Sequence, residues 1–500
     1  MDVKEELGAF ILENFALRPT KEQLQVVQMW CDFLLSTHRE EIFLLQGYAG
    51  TGKTSLVGAL VKSLVALRRP VVLLAPTGRA AKVFSLHADH VAYTIHKKIY
   101  RQKTFSAEMV NFQSNVNNHR HTLFIVDEAS MINNDGISGR MFGTGRLLDD
   151  LVHYVYAGEG CRLMLVGDSA QLPPVGEELS PALNPLALAG YGMEVREATL
   201  TQVLRQADES GILWNATLLR KLISIDGMGD FPRFRITGFP DIRVVPGDEL
   251  IEFLEDSYYR YGTDQTIVVT RSNRRANIFN NGIRGRILQY EEELCSGDQL
   301  IVVKNNYFWT DLLPVPHEEG RSVVRVTSKK GPLPLTGESE GASFIANGDV
   351  CVVRRFRNER SLYGFRFADA TLRFPDFEDM EIETTILLDT LQSEAPALTQ
   401  EQQTQLFNAV CADYPELHSK RDLMEKVKQD PYYNALQVKF SYAVTCHKAQ
   451  GGQWQCVFID QGYVTQDMLT PDYFRWLYTA LTRATEQVYL INWPKEQIGE

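Results

Sequence analysis

Four short apolar runs, separated by stretches of helical periodicity, mark the first 200 residues of the chain. The runs are Ile42–Leu45, Val71–Ala75, Leu123–Asp127 and Leu163–Asp168. Strands that are apolar at every position are typical of a parallel sheet covered by helices on both faces. A polar cluster follows each run, and ligands bind at the carboxyl ends of such strands. The pattern predicts an α/β domain with a ligand site along one edge of its sheet.

A second set of similar runs indicates a second α/β domain that an insertion divides. These runs are Thr266–Thr270, Phe440–Thr445, Cys456–Asp460 and Val488–Asn492. Between the first and second of them, short β-rich segments bounded by turns are typical of a small barrel, and a helical stretch follows them. The predicted domains are 1–200, then 201–290 together with 436–500, and an inserted barrel and helical domain at 291–435.

The segment "GYAGTGKT" (Gly47–Thr54) follows the first apolar run and matches the phosphate-loop pattern G-x-x-x-x-G-K-[ST]. In such a loop, backbone N–H groups face the phosphates and the next helix adds its dipole. Lys53 supplies a positive charge for the β- and γ-phosphates, and Thr54 supplies a hydroxyl ligand for Mg²⁺. A chance glycine-rich turn is the alternative, but the preceding strand and the following helix favour a nucleoside triphosphate site.

Two further segments place chemistry at strand ends of the same domain. Asp127 and Glu128 stand at the end of the third run, where one acid can bind Mg²⁺ and the other can polarise the attacking water. Paired acids are common on surfaces, so this signal gains its meaning from the phosphate loop. In "VGDSAQLPPVG" (Val166–Gly176), the Gln171 amide is a candidate for reading the γ-phosphate. A proline-stiffened turn explains the prolines of that segment but not Asp168 and Gln171.

Three segments that follow predicted strands carry hydroxyl groups. "APTGRAAK" (Ala75–Lys82) and "TIHK" (Thr94–Lys97) follow the second run. Hydroxyls and backbone N–H groups at a helix start bind phosphodiesters, and an ordinary strand-to-helix loop is the alternative. The third segment, "AVTCHKAQGGQW", places on one loop Thr445, His447, Lys448 and Gln450.

The segment "LYTALTRATE" carries Arg483 on a helix with apolar residues at helical spacing. An arginine that faces a neighbouring domain's triphosphate is an arginine finger. A solvated arginine on an amphipathic helix is the alternative, and the helix pattern alone favours it.

The composition is that of an ordinary globular protein, with 44% hydrophobic and 23% charged residues. No apolar run reaches the roughly 18 residues of a membrane span, and the N-terminus lacks the features of a secretory signal. Seven cysteines without a C-x-x-C pair fit neither a disulfide framework nor a zinc site. A cytoplasmic protein without membrane contact is therefore expected.

The net charge of −12 argues against a surface coated in basic patches. Binding to nucleic acid usually leaves a basic footprint, so it would have to use a local cleft. The candidate cations for that cleft are Lys82, Lys97, Lys98, Arg101, Arg271 and Lys448.

Nine segments, taken in order, resemble the successive motifs of the superfamily 1 helicases, and most closely those of subgroup B, the RecD-like and Dda-like DNA helicases. The segments are "GYAGTGKT", "APTGRAAK", "TIHK", "VDEAS", "GDSAQLPPVG", "LTQVLRQ", "VVTRSNRRA", "AVTCHKAQG" and "YTALTRA". The resemblance implies two RecA-like P-loop domains with parallel sheets, a small wedge hairpin inserted in the first and an SH3-like β-barrel insertion in the second. It also implies ATP and Mg²⁺ as cofactors, and a monomer that unwinds DNA from 5′ to 3′. The implied partners are single-stranded DNA, forked duplex DNA, and replication or repair proteins.

The resemblance also implies roles for individual residues at the nucleotide. Gln23 would read adenine, Asp127 and Thr54 would bind Mg²⁺, and Glu128 would be the general base. Gln171 would couple the γ-phosphate to domain closure. Further nucleotide contacts are implied for Gly47, Gly50, Thr51, Gly52, Lys53, Ser55, Arg205, Arg483 and, toward the ribose, Gln453. Leu204 stands where many relatives have an aromatic residue that stacks on adenine, which puts nucleotide selectivity in doubt.

For the nucleic acid, the resemblance implies a set of residues that grip a single strand: Pro76, Thr77, Thr94, His96, Thr445, His447 and Lys448. It also implies a wedge hairpin at 98–121, with Phe105 or Phe112 as an apolar tip or as packing beneath it. Two other functions stay open, a DNA-stimulated ATPase or loader that separates no strands and an RNA-directed helicase of the same superfamily. A nucleotide kinase or signalling NTPase is disfavoured by the second set of strands.

Overall fold

The computed structural model describes residues 3–102, 112–134, 143–203, 209–224, 230–306, 308–309, 345–377, 379–417 and 419–499. In the first 200 residues, the helices are α1 (Val3–Glu13), α2 (Lys21–Leu35), α3 (Lys53–Ala66), α4 (Gly78–Ala88), α5 (Ile95–Ile99), α6 (Leu147–Tyr156) and α7 (Pro185–Ala189). The strands of this part are β1 (Glu41–Gly47), β2 (Val71–Ala75), β3 (Ala92–Thr94), β4 (Tyr100–Gln102), β5 (Phe112–Ser114), β6 (Leu123–Val126), β7 (Arg162–Gly167) and β8 (Glu194–Leu200).

Six of these strands form one parallel sheet in the order β3-β2-β6-β7-β1-β8. Along β1, Phe43 and Leu45 pack into the core beneath α1, α2 and α3, whereas Ile42 and Leu44 pack into the core on the opposite face. Because both faces are covered, the strand is apolar at every position. The predicted α/β class and parallel sheet are therefore confirmed.

Strands β4 and β5 form a short antiparallel hairpin between α5 and β6. The hairpin lies within the interval in which a wedge was predicted. Of the two wedge candidates, Phe105 lies outside the described residues, and only the backbone of Phe112 is described, in β5. The choice between them stays a prediction.

The second half of the chain contains another parallel sheet and a barrel. Its described helices are α8 (Gly211–Ser224), α9 (Leu250–Tyr261), α10 (Asn273–Gly282), α11 (Gln400–Ala412), α12 (Lys420–Lys428), α13 (Cys446–Ala449) and α14 (Pro471–Leu481). Its described strands are β9 (Phe234–Arg235), β10 (Ile242–Val245), β11 (Thr266–Thr270), β12 (Gln299–Val302), β13 (Val350–Leu362), β14 (Phe365–Phe374), β15 (Met380–Leu387), β16 (Leu436–Phe440), β17 (Ala443–Thr445), β18 (Trp454–Asp460), β19 (Ala484–Ile491) and β20 (Ile498–Gly499).

The second sheet is parallel in the order β10-β19-β18-β11-β17, and β12 to β16 close into a five-stranded barrel. Both the second α/β sheet and the predicted barrel are thus present. The prediction of one strand at Phe440–Thr445 is wrong, because Phe440 ends the last barrel strand and Ala443 begins the edge strand of the sheet. The apolar pattern runs through this break because the linking Tyr442 is itself 1% exposed. The predicted boundary at 435 falls just before β16.

The barrel and the second sheet share one hydrophobic core. It combines Val268 and Phe458 of the sheet with Leu300, Val353 and Leu436 of the barrel. The inserted barrel is therefore packed against the sheet and is not an appendage on a linker.

A buried ion pair fixes the points at which the chain enters and leaves the barrel. Arg284, in a π-helical segment after α10, donates from Nε and from an NH group to the two oxygens of Asp298, each at 2.8 Å. Tyr442, just after the last barrel strand, donates its hydroxyl to the same carboxylate at 3.1 Å. The side chains of Arg284 and Asp298 are 6% and 0% exposed.

Within the described residues, no helix is both long and apolar enough to cross a membrane. All seven cysteines are free of disulfide bonds.

Replacing Asp298 with alanine is expected to lower the free energy of unfolding by about 3–5 kcal/mol, because the Arg284 guanidinium would stay buried without its carboxylate. Chemical denaturation followed by tryptophan fluorescence measures the change. Asp256→Ala is the matched control, since it breaks a pair with Arg260 whose side chains are more than half exposed, and it should cost no more than about 1 kcal/mol. Equal unfolding midpoints for Asp298→Ala and the parent protein would contradict the assignment.

Candidate functional site

The predicted phosphate loop connects β1 to the start of α3. Gly50 and Gly52 have φ angles of +76° and +77°. Residues other than glycine rarely adopt this backbone conformation. Lys53, the first residue of α3, donates its ammonium to the carbonyl oxygens of Gly47 and Tyr48. Thr54 and Ser55 follow in the first turn of the helix. The loop thus has the turn and the helix start that the sequence motif requires.

Gln23 is buried next to this loop. Its Oε1 accepts a hydrogen bond from the Thr20 backbone N–H at 2.9 Å, which completes a capping box at the start of α2. Its Nε2 donates to the carbonyl oxygen of Thr51 at 2.9 Å. Gln23 therefore joins α2 to the phosphate loop, and its predicted contact with adenine stays a prediction.

Asp127 and Glu128 lie at the carboxyl end of β6. Burial raises the pKa of Asp127 to about 7, the adjacent Glu128 carboxylate contributes to the rise, and the Lys53 ammonium opposes it. Glu128 has a φ of +53° and a ψ of 39°. A left-handed conformation costs a residue other than glycine about 1–3 kcal/mol and is concentrated at functional sites. The backbone strain thus accompanies the predicted general base.

Arg483 reaches this carboxylate pair from the second sheet. It follows the end of α14, and its NH1 lies 3.9 Å from Oε1 of Glu128. The same NH1 donates to the carbonyl oxygen of Gly452, and Nε donates to that of Thr479, both at 3.1 Å. Arg483 is 4% exposed, so it is not the solvated arginine that the helix pattern alone favoured.

The loop after β7 rests on the second sheet's helices. Leu172 donates its N–H to Thr479 Oγ1 at 2.8 Å, and its carbonyl oxygen accepts from Gln450 Nε2 at 2.7 Å. Gln171 is buried, and its Oε1 has no hydrogen-bond partner within the described residues. A buried amide oxygen without a partner is costly, and here it is available to a ligand.

Tyr478 is a residue of this interface that the sequence did not reveal. Its hydroxyl accepts from the Ala49 backbone N–H in the phosphate loop at 2.8 Å and donates to Asp168 Oδ2 at 2.6 Å. On an amphipathic helix, a tyrosine at an apolar position is predicted to be a hydrophobic core residue. Its contact with the phosphate loop becomes visible only in the fold, where α14 packs against loops of the first domain. Arg205 and Leu204 lie outside the described residues.

The residues predicted to grip a strand lie at corresponding edges of the two sheets. Thr77 follows β2 and caps α4, accepting from the Ala80 N–H at 3.2 Å, and Pro76 precedes it. Thr94 ends the edge strand β3 and caps α5 in the same way. In the second sheet, Thr445 ends the edge strand β17 before α13, which carries His447 and Lys448.

These two groups of residues meet across the interface. The loop after α13 approaches the start of α4 so closely that a Cβ on Gly451 would lie 3.2 Å from Thr77 Oγ1. Arg79 stacks on the Trp454 ring at 3.9 Å and donates to the carbonyl oxygen of Gln453 at 3.1 Å. The contact described for Gln453 is thus with α4, and its predicted contact with ribose stays a prediction.

The basic side chains at this interface differ in whether they carry a charge that is free to bind a phosphate. Burial lowers the pKa of His96 to about 4, so its imidazole is neutral at neutral pH. Burial and the neighbouring Lys439 lower the pKa of Lys448 to about 8. Lys82 is paired with Asp376 of the barrel at 2.8 Å. Of these groups, Lys448 is the cation that no carboxylate pairs with in the described part of the chain.

Comparison with known proteins adds two family models. The model described as an AAA domain matches residues 20–222, and the model of a UvrD-like helicase C-terminal domain matches residues 440–491. The first match contains the phosphate loop, the carboxylate pair and Gln171. The second contains Lys448, Tyr478 and Arg483.

Two relatives differ in how much of their length the chain spans. An uncharacterised protein of Acanthamoeba polyphaga mimivirus is 21% identical over 542 residues, which are 94% of this chain and 98% of that protein. The ATP-dependent RecD2 DNA helicase of Deinococcus radiodurans is 32% identical over 180 residues, 36% of this chain. The chain spans only about a fifth (21%) of the RecD2 protein.

Among solved structures, Bacteroides Pif1 bound to single-stranded DNA is similar with a TM-score of 0.45 and 14% identity, covering 97% of this chain and 95% of that one. Candida albicans Pif1 helicase is similar with a TM-score of 0.39 and 14% identity, covering 97% and 96%.

The two family models match in the order of a helicase core, and each falls on one of two parallel sheets that face each other across Lys53, Glu128 and Arg483. Together with the similarity to the RecD2 helicase, these matches support the predicted superfamily 1 helicase of subgroup B and an ATP-driven enzyme.

Proposed function

We propose that this protein is a DNA helicase that hydrolyses ATP between its two parallel-sheet domains, translocates along single-stranded DNA from 5′ to 3′ and unwinds duplex DNA. The observation that carries the proposal is the position of Arg483, buried and 3.9 Å from Glu128 across the interface. The similarity to the RecD2 DNA helicase supports DNA as the substrate. The polarity rests on the resemblance to subgroup B.

In this proposal, ATP lies against the phosphate loop and is covered by the second sheet. Residues 1–200 form the first motor domain, and residues 201–290 with 436–500 form the second. The barrel strands β12 to β15 and the helices within 291–435 form an accessory domain that packs on the second motor domain, and β16, at the start of the segment 436–500, closes the barrel. Lys53 would bind the β- and γ-phosphates, as lysine does in phosphate loops.

The residues beside the loop fit a magnesium ion. Asp127 is a carboxylate whose pKa is raised by burial and by Glu128, so a nearby cation would stabilise its charged form. Together with the Thr54 hydroxyl it offers the oxygen ligands that Mg²⁺ prefers. A bound Mg²⁺ would neutralise charge that develops on the phosphates.

Hydrolysis would depend on groups contributed by both domains. Glu128 would accept the proton of the attacking water, and the partnerless Gln171 amide oxygen is available to orient the water or the γ-phosphate. Arg483 would stabilise the negative charge of the transition state from the second domain. Since these groups meet only when the domains are together, hydrolysis and domain closure would be coupled.

Movement along DNA would use the two groups of strand-end residues alternately. Thr77 and Thr94 belong to the first domain, and Thr445 and Lys448 belong to the second, so relative motion of the domains would move the strand. Opening one base-pair step costs roughly 0.6–2.2 kcal/mol of stacking. That cost is small enough for one ATP per nucleotide step.

Tailed duplexes of opposite polarity test the proposal. A duplex with a 5′ single-stranded tail should be unwound with ATP and Mg²⁺, whereas a duplex with only a 3′ tail should not, as measured by release of a fluorescent strand. DNA-stimulated hydrolysis without strand release on either substrate would instead favour a loader or ATPase subunit. Stronger stimulation by RNA than by DNA oligonucleotides would favour the RNA-directed alternative.

Affinity for single-stranded DNA should fall steeply with salt. The slope of log affinity against log salt is set by the number of phosphates that the protein neutralises, about −0.7 for each one. Lys448→Ala should reduce that slope by about one such unit. A salt-independent affinity, measured by fluorescence anisotropy, would contradict binding through phosphates.

Arg483→Ala should lower the rate of ATP hydrolysis by about 10³–10⁵-fold, the usual effect of losing an arginine finger, while ATP binding changes little. Arg483→Lys is the matched variant, since it keeps the charge but lacks the planar guanidinium, and it should restore only part of the rate. Steady-state ATPase at saturating single-stranded DNA measures both. Equal rates for Arg483→Ala and the parent protein would contradict the assignment.

A further inference from the structure

One side chain of the second domain connects two loops of the first. The Tyr478 hydroxyl accepts a hydrogen bond from the Ala49 N–H at 2.8 Å and donates one to Asp168 Oδ2 at 2.6 Å. Ala49 lies in the phosphate loop, and Asp168 begins the loop after β7. Tyr478 and Asp168 are each 1% exposed. The hydroxyl thus joins the loop of Lys53 to the loop of Gln171.

The directions of these two bonds are fixed by the electrostatics of the site. Burial raises the pKa of Tyr478 well above its ordinary value, and the negative charge of Asp168 raises it further. The tyrosine therefore keeps its proton and donates it to the Asp168 carboxylate. A donor bonded to a carboxylate makes a short and strong hydrogen bond. The remaining lone pairs of the hydroxyl can then accept the Ala49 N–H.

Helix α14 presents Tyr478 together with other residues that contact the first domain. Arg475 and Thr479 lie at helical spacing on the same face. Arg475 donates to the carbonyl oxygens of Ser169 and Gln171, and Thr479 accepts from the Leu172 N–H. Arg483 follows just beyond the helix end. A shift of α14 would therefore move the Tyr478 contact and the Arg483 contact together.

We propose that Tyr478 is a positioning residue that holds the phosphate loop in the geometry required for hydrolysis only when the second domain is in place. The proposal rests on the proposed function, in which ATP is hydrolysed between the two domains. Closure would then do two things at once, bringing Arg483 to the γ-phosphate and ordering the backbone that carries Lys53. Removing the hydroxyl should affect the rate of hydrolysis more than the binding of ATP.

The same helix offers a matched control. Tyr473 is also buried, and its hydroxyl donates to Gln461 Oε1 at 2.8 Å. Both partners of that bond belong to the second domain. Tyr478→Phe and Tyr473→Phe therefore remove the same group from one helix, and only the first removes a bond to the phosphate loop.

The experiment compares these two variants in the full-length protein. With saturating single-stranded DNA, Tyr478→Phe should lower kcat by roughly 10- to 100-fold, about 1.4–2.7 kcal/mol at 1.36 kcal/mol per tenfold, the range of a hydrogen bond to a charged group. KM for ATP should change less than about threefold in the same variant. Tyr473→Phe should retain kcat within about threefold of the parent value.

Hydrogen–deuterium exchange supplies a readout that a purely structural role would not change. Peptides covering residues 47–52 should exchange faster in Tyr478→Phe and at the parent rate in Tyr473→Phe. The proposal is overturned if Tyr478→Phe keeps kcat within about twofold of the parent value, if both variants lose kcat equally, or if the loop exchanges at the parent rate. Should Tyr478→Phe fail to fold, Asp168→Asn must show the same loss of kcat.

The two proposals can fail separately. If single-stranded DNA does not stimulate ATP hydrolysis by the parent protein, the proposed function fails, and the exchange rates of the phosphate loop still decide whether Tyr478 holds it. If DNA stimulates the parent protein but the variants exchange alike, only the role of Tyr478 is overturned.

Discussion

The contact between Arg483 and Glu128 is the interaction on which the candidate site depends. Arg483 is held by carbonyl oxygens of its own domain, and Glu128 is oriented by a left-handed backbone at the end of β6. Each group is therefore positioned by its own sheet before it meets the other. At 3.9 Å they are beyond hydrogen-bonding distance. The attraction between them is electrostatic, and both remain able to hydrogen-bond a ligand.

Two parallel sheets create this arrangement because the carboxyl ends of all the strands in such a sheet lie on the same side. In the first sheet, the phosphate loop, the carboxylate pair and the Gln171 loop follow β1, β6 and β7, which lie side by side. The strand-binding candidates follow β2 and β3 at the far edge of the same sheet. The nucleotide and the nucleic acid would thus use different strands of one rigid layer, and the second sheet contacts both sites through α14 and the loop after α13.

The sequence predicted the strands in which every residue is buried or nearly so. β1, β2, β6 and β7 are covered on both faces, so their apolar runs were visible. β8 was not predicted, because it is an edge strand on which only Ala198 and Leu200 are buried, and β3 is only three residues long. The split of Phe440–Thr445 was missed because a barrel core and a sheet core adjoin there without a polar residue exposed between them.

In the site, too, the sequence predicted the residues that belong to local motifs and missed the contacts between distant parts of the chain. Local motifs predicted the phosphate loop and the carboxylate pair, since each lies within a few residues of one strand end. Tyr478 could not be predicted, because its partners, Ala49 and Asp168, lie several hundred residues earlier in the chain. Periodicity assigned it to the core, where its ring does lie, and gave no information about its hydroxyl.

Along the predicted path of the nucleic-acid strand, the basic candidates differ in whether an acidic side chain neutralises them. Lys82 was a candidate for phosphate binding, but its charge is neutralised by Asp376 of the barrel. Lys448 is different, because it is desolvated and lies near Lys439, so its charged form lacks compensation from the protein. A phosphate group placed beside Lys448 would supply that compensation. A chain of acidic net charge can therefore still bind a polyanion, provided that unpaired and partly buried cations such as Lys448 lie along the strand path.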